Sequence, residues 1–266
     1  MAPRRTILAL ATLVSLLARV DRPAWAGDRA AKGTPWPLLV DGFESGDTTA
    51  WGDLVDLSDG FDDSDYAGWS VLRPDLATVA VAGGELRVTP DDNTLWFQAS
   101  QSVLVWKRVT GNFRATAIVR SRAAADDSQP PPFLIHLGGL MARDGAAAAE
   151  NYVFEVVGRD VNDLSVEGKT TDDAVSIYEG PSWASSDAEL RLCRIGTTFH
   201  LYARPLGDPT WQQPLPTLST IDRPDLPATL QVGINAYAAQ PAADLVVRVE
   251  RVDFLRVFDP TDCATD

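Results

Sequence analysis

Few residues in this chain are placed to do chemistry, and those few are mostly acids. Glu155 stands in the middle of the alternating stretch Tyr152 to Val157, on the face opposite Phe154, where a carboxyl could act as a general acid or base. Sugar-cleaving enzymes hold two carboxyls roughly 5 to 9.5 Å apart, and no partner at strand spacing accompanies Glu155. The plainer reading pairs Glu155 with Arg143 or Arg194 on a sheet face. His136 and His200 are the only imidazoles, and no Gly-x-Ser-x-Gly elbow exists, which argues against a serine or cysteine hydrolase. No glycine-rich phosphate loop precedes a helix.

Two further groups of residues could bind rather than react. The densest charge cluster runs from Asp53 to Asp65, and within it Asp59, Asp62, Asp63 and Asp65 are candidates to hold a structural calcium ion through several oxygens at short spacing. The EF-hand pattern is not met, and a solvated acidic loop accounts for the same composition. Arg143, Glu155, His200, Tyr202, Asn235 and Tyr237 form the other group, since all fall on strand faces turned away from the expected core. Aromatic faces beside planar polar groups suit sugar rings, which present C–H patches and pairs of hydroxyls. The alternatives are that His200 is a hydrogen-bonded sheet residue and that most of the eight tryptophans pack core and loops.

These residues must be positioned by strands. In the stretch 189–211, Leu190 and Leu192 alternate with Arg191 and Cys193, Gly196 turns the chain, and Phe199, Leu201 and Ala203 alternate with His200, Tyr202 and Arg204, which predicts a β-hairpin. Hairpins are also expected around Gly83-Gly84 and around Thr171-Asp172-Asp173. Leu95 to Phe97, Val103 to Trp106, Phe113 to Arg120 and Tyr152 to Val157 read as strands, and Phe133 to Arg143 as a strand interrupted at Gly138-Gly139. In Leu230 to Tyr237, the residues Leu230, Val232, Ile234 and Ala236 face the core. The run Leu245 to Val257 is too long for unbroken alternation, and Glu250-Arg251 marks a bulge. About a dozen short strands with frequent turns predict an all-β, two-sheet antiparallel sandwich.

Composition sets outer limits. A chain of 266 residues, 45% hydrophobic, can bury one large core. Arg4 and Arg5, the apolar run Ile7 to Ala18 and the small residues of Ala24-Trp25-Ala26 predict a signal peptide over residues 1–26, cut before Gly27. The run is too short for the roughly 20 residues that span a bilayer. The chain's net charge of −14 becomes −17 without those residues, which carry four arginines and one aspartate. So acidic a protein repels phosphate backbones and anionic lipid, and neither nucleic acid nor membrane insertion is expected. In an oxidising compartment Cys193 and Cys263 permit one bridge, or they remain a buried strand thiol and a tail thiol that never meet.

The segments LWFQAS, VLVWKRVTGNF, GGLMARD, ENYVFEVV, EGKTTDDAVS, the 189–211 hairpin and LQVGINAYA, closed by VDFLRV, carry a resemblance. In this order the chain resembles bacterial concanavalin A-like sandwich proteins, and is most similar to the uncharacterised DUF1349 group, related to the regulation-of-enolase-1 proteins. The likeness covers Trp69 to Val257, and its GLM-x-R-D and R-x-G-x-x-F pieces speak for fold more than activity. It implies a jelly roll in which DGFESGD neighbours VDFLRV, with the binding residues above in or near a concave sheet. Some glucanases of this fold carry Glu-x-Asp-x-x-Glu on one strand, a spacing absent here. The expected organisation is a flexible leader over 27–37, one sandwich domain over 38–259 and a tail over 260–266. The expected function is a secreted or periplasmic, monomeric, non-catalytic module that binds carbohydrate. A sugar hydrolase or lyase using Glu155, and a structural or protein-interaction domain at the cell surface, are the alternatives.

Overall fold

The computed structural model describes residues 53–91, 93–239 and 244–266. The signal segment, the leader and the strand expected at Leu38 to Phe43 lie outside the described residues, as does the DGFESGD half of the expected pairing with VDFLRV. Two seven-stranded antiparallel sheets face each other. The first contains, in spatial order, β1 (Ser70–Leu72), β4 (Val103–Thr110), β13 (Thr229–Ala238), β6 (His136–Arg143), β7 (Tyr152–Asp160), β8 (Asp163–Asp172) and β9 (Val175–Glu179). The second contains β12 (Thr220–Asp222), β11 (Thr198–Arg204), β10 (Asp187–Ile195), β5 (Phe113–Arg122), β14 (Val246–Leu255), β3 (Leu86–Pro90) and β2 (Ala77–Val81).

The local signals account for most of these elements. β10 and β11 pair from Glu189↔Arg204 to Ile195↔Thr198, and Gly196 at the turn adopts φ 60°, a left-handed conformation glycine reaches without a Cβ clash. The register of β14 shifts between Val249 and Val252, where Glu250 and Arg251 form the bulge. Three expectations fail, one of them the start of β6, which lies at His136 and not at Phe133. Leu95 to Phe97 is an irregular loop, held by isolated bridges at Thr94↔Ala238 and Phe97↔Ser100. Gly138 and Gly139 do not interrupt their strand. A Cβ on Gly138 would sit 2.3 Å from a Val247 methyl, so glycine lets the two sheets approach there.

Between the sheets lies one apolar layer, with Val105, Leu140, Val153, Val157 and Ile234 meeting Leu190, Leu192, Leu201, Val247 and Phe254. A second cluster sits on the opposite face of the first sheet, where Leu104, Leu137, Met141, Tyr152, Phe154, Val156 and Tyr237 are covered by Trp96. The first sheet is therefore buried on both faces in its middle strands, because loop 93–102 folds over it. Trp96 is fully buried, and its indole Nε1 donates to the carbonyl of Val103 at 3.2 Å.

Candidate functional site

The six expected binding residues do not share a face. His200 and Tyr202 stand on β11 in the second sheet, while Arg143, Glu155, Asn235 and Tyr237 belong to the first. Glu155 is also turned the other way. It lies between Val153 and Val157, both of which point into the layer between the sheets, so its carboxyl faces β10 and β11 rather than a groove. Both its oxygens are buried without a hydrogen-bond partner, although the backbone N–H groups of Arg191 and Tyr202 approach it. Burial pushes this carboxyl up to about 8 against the pull of those N–H groups. The expectation of a general acid in an open groove is thus corrected. The sequence pattern misled because β7 is apolar on both faces, and alternation then leaves the facing of Glu155 undecided.

The others are largely engaged. Arg143 donates from Nε and Nη2 to Glu150, at 2.8 and 2.6 Å, and from Nη1 to Gln231 at 2.8 Å. Asn235 is fully buried and donates to the carbonyl of Gly139 at 3.3 Å. His200 and Tyr202 are half-buried on the outer face of the second sheet, where burial lowers the pKa of His200 and raises that of Tyr202. Tyr202 packs beside the bridge that joins Cys193 to Cys263 across a Cα separation of 5.7 Å. In the acidic loop, Asp59 accepts from the Phe61 N–H and from the Trp69 indole, at 2.8 and 2.7 Å, with Lys107 Nζ 3.7 Å away. Asp63 and Asp65 cap their own turns, and Asp62 is exposed. Among the described residues no three His, Cys, Asp or Glu side chains gather to hold a metal ion.

Tyr237 does reach a cavity. About 200 Å³ of space opens on the face of the first sheet away from the core, between loop 93–102 and strands β7, β8, β9 and β13. Its walls are aromatic: Trp96 and Phe97 come from the loop, Tyr178 from β9 and Tyr237 from β13. At its floor Lys169 Nζ lies 2.9 Å from Glu167 Oε1 and donates to the carbonyl of Trp96 at 3.0 Å. The Tyr237 hydroxyl donates to the same Glu167 oxygen at 3.1 Å. The ammonium also sits 4.7 Å from the Phe154 ring and 5.3 to 5.4 Å from those of Phe97, Tyr178 and Tyr237. Burial raises the pKa of Glu167, Lys169 opposes that rise, and the charge of Asp160 adds to it. Asp160 lines the same cavity, and its Oδ2 and the nearby Ser165 Oγ are buried with no hydrogen-bond partner.

Local sequence explains these placements. On β8, Ser165, Glu167, Lys169 and Thr171 alternate with Val166 and Gly168, and Val166 points into the core, so the charged pair faces the other side. A Glu-Gly-Lys step inside a strand was a legible signal for a buried polar site. Nothing in the sequence marked Trp96 and Phe97 as its roof. Tyr178 is exposed at the mouth and meets Phe97 edge-on, with ring centres 6.3 Å apart.

No family model matches the chain, and no curated protein matches it. Solved structures do. A functionally unknown protein from Saccharomyces cerevisiae matches at 14% identity and a TM-score of 0.59, over 73% of this chain and 98% of that one. The GH43 protein BlXynB of Bacillus licheniformis matches at 12% identity and a TM-score of 0.58, over 75% and 39%. A xylan β-1,4-xylosidase of Bacillus halodurans C-125 matches at 17% identity and a TM-score of 0.57, over 74% and 38%. This chain thus spans under two fifths of either Bacillus protein. At such identities the likeness concerns the fold, and the fold is a two-sheet antiparallel β-sandwich.

Proposed function

We propose that this chain is a carbohydrate-binding module whose ligand enters the aromatic-walled cavity on the first sheet. The observation that carries the reading is the combination of Trp96, Phe97, Tyr178 and Tyr237 with the Glu167–Lys169 pair in one space of about 200 Å³. That volume falls below the roughly 300–1,000 Å³ of drug-sized ligand sites, so the cavity suits one ring at the end of a glycan rather than a run of sugars. Ring faces would stack on Tyr178 and Phe97, and hydroxyls would bond to the lysine and the carboxylates. A glycan array tests this. Wild type should bind, Tyr178→Ala should lose binding with its circular dichroism unchanged, and a blank array from folded wild type would end the reading.

A sugar-cleaving role has one observation in its favour, the presence of two carboxyls, Asp160 and Glu167, on the same cavity. Hydrolysis of a panel of aryl glycosides that Glu167→Gln abolishes would support it, and no turnover by wild type would remove it. The proposal includes export. The Cys193–Cys263 bridge suits an oxidising compartment, and N-terminal sequencing of the secreted protein should begin at Gly27. It also includes kinship with the DUF1349 group. In the R-x-G-x-x-F piece, Arg194 donates to the carbonyls of Gly196, Leu226 and Pro227 and lies 5.3 Å from the Phe199 ring, which makes that piece a structural lock. Failure of profiles built from homologues of this chain to align with that group would remove the kinship.

A further inference from the structure

The outer face of the second sheet holds a different kind of site. Arg114 on β5, Arg191 on β10 and Arg204 on β11 converge there beside Trp211. The guanidiniums of Arg191 and Arg204 lie 3.8 and 4.2 Å from the Trp211 ring. Each also reaches the last residues of the sequence. Arg191 Nη2 donates to Asp266 Oδ1 at 2.9 Å, Arg204 Nη1 to Asp266 Oδ2 at 2.9 Å, and the Trp211 indole to Oδ1 at 2.8 Å. Arg114 and Arg191 donate to backbone carbonyls of the same segment. Burial, with Arg114 close by, pushes the Arg191 guanidinium down to about 10.

Such convergence is unexpected in a chain of net charge −14. Like charges brought together and desolvated raise the energy of the fold unless an anion is present. An open cleft of about 470 Å³ adjoins them, lined also by Arg251, Glu189 and Asp253. With Asp266 set aside, four arginines face two carboxylates in that cleft. Glu189 is already bonded to Arg204 Nε at 2.8 Å, and Asp253 is paired with Arg251. The donors that Asp266 uses would be left for an anion. The Asp266 side chain itself is 61% exposed, so its carboxylate lies at the surface and not in a core.

We propose that the Arg114–Arg191–Arg204–Trp211 cluster is a binding site for a carboxylate-bearing ligand, and that Asp266 occupies it as a built-in competitor. Arg191 Nη2 and Arg204 Nη1, the donors that Asp266 engages, supply one charge-assisted N–H to each oxygen of a carboxylate. The disulfide at Cys263 fixes the tail three residues before Asp266, so the side chain competes as a tethered ligand at an effective concentration on the order of millimolar. A free carboxylate therefore meets the site only in the fraction of molecules from which Asp266 has swung away.

The test uses the full mature chain and calorimetric titration at low salt with three probes: trigalacturonate, its methyl ester and a triaspartate peptide. Asp266→Asn, which keeps the size of the side chain and removes its charge, should bind trigalacturonate or triaspartate about tenfold more tightly than wild type, and the neutral ester not at all. Binding of the uronate alone identifies a sugar acid, binding of the peptide alone an acidic polypeptide, and binding of both a general carboxylate site. Arg204→Lys in the Asp266→Asn background should remove the gain, since Arg204 holds Glu189 through Nε and the carboxylate through Nη1, and one ammonium cannot reproduce both planar donors. If folded Asp266→Asn binds both carboxylate probes no better than wild type, the cluster is only an anchor for the tail. The aromatic cavity lies on the other sheet, so Tyr178→Ala should leave these affinities unchanged.

Discussion

Replacing Glu155 by glutamine should make the protein more stable at neutral pH, and the gain should grow with pH. The carboxyl is fully buried between the sheets, and burial raises its pKa from 4.5 to about 8. In the fold it is held neutral, whereas in the unfolded chain it ionises above its ordinary value. The folded state then binds more protons than the unfolded state from about pH 4.5 to about pH 8, so stability falls as pH rises through that window. At about 1.4 kcal/mol per unit, the loss between pH 5 and pH 8 is about 4 kcal/mol. Domains have only about 5–15 kcal/mol in total, so the effect is large. Glutamine has no proton to lose and escapes it. The assay is urea unfolding of wild type and Glu155→Gln at pH 5, 6, 7 and 8. All other titrating groups, Glu167 included, are common to both proteins and cancel in the difference. The gap should be smallest at pH 5 and widen steadily. A gap that stays constant across the range would show that Glu155 ionises freely in the fold, and would refute its placement between the sheets.

Two further outcomes follow from packing and covalent geometry. Cys193→Ser with Cys263→Ser should cost about 2–5 kcal/mol by denaturant unfolding, because the bridge closes a sequence separation of 70 residues; an unchanged midpoint under oxidising conditions would contradict the bridge. Gly233→Ala should destabilise by at least about 1–3 kcal/mol, since its new Cβ would lie 2.0 Å from the Val105 carbonyl oxygen, and a wild-type melting temperature would contradict the close pairing of β13 with β4.

The fold was largely legible because local chemistry dictates it. Alternating residues from 189 to 204 with glycine at the turn place β10 and β11, and Glu250-Arg251 locates the bulge of β14, since unbroken alternation would turn one of two successive charged residues into the core. Turn residues and period-two alternation are properties of neighbours in sequence, and they survive without knowledge of what lies across the sheet. The same alternation places Asn235 and Tyr237 opposite Ile234 and Ala236, and the structure agrees.

What tertiary structure decided was which face of each strand meets what. The middle of the first sheet is apolar on both sides, so sequence could say that Glu155 opposes Phe154 but not that Glu155 faces the second sheet. Strand order separated His200 and Tyr202 from Tyr237 by assigning them to different sheets, and pairing between distant strands leaves little trace in any one strand's residues. The cavity depends on Trp96 and Phe97 folding back over β7, β8 and β13, and the arginine cluster on a tail pinned by a bond spanning 70 positions. Each site is a meeting of segments far apart in the chain. Residue types and their alternation fix the strands, while the contacts that build a site are set only when the two sheets, the loop and the tail close on one another.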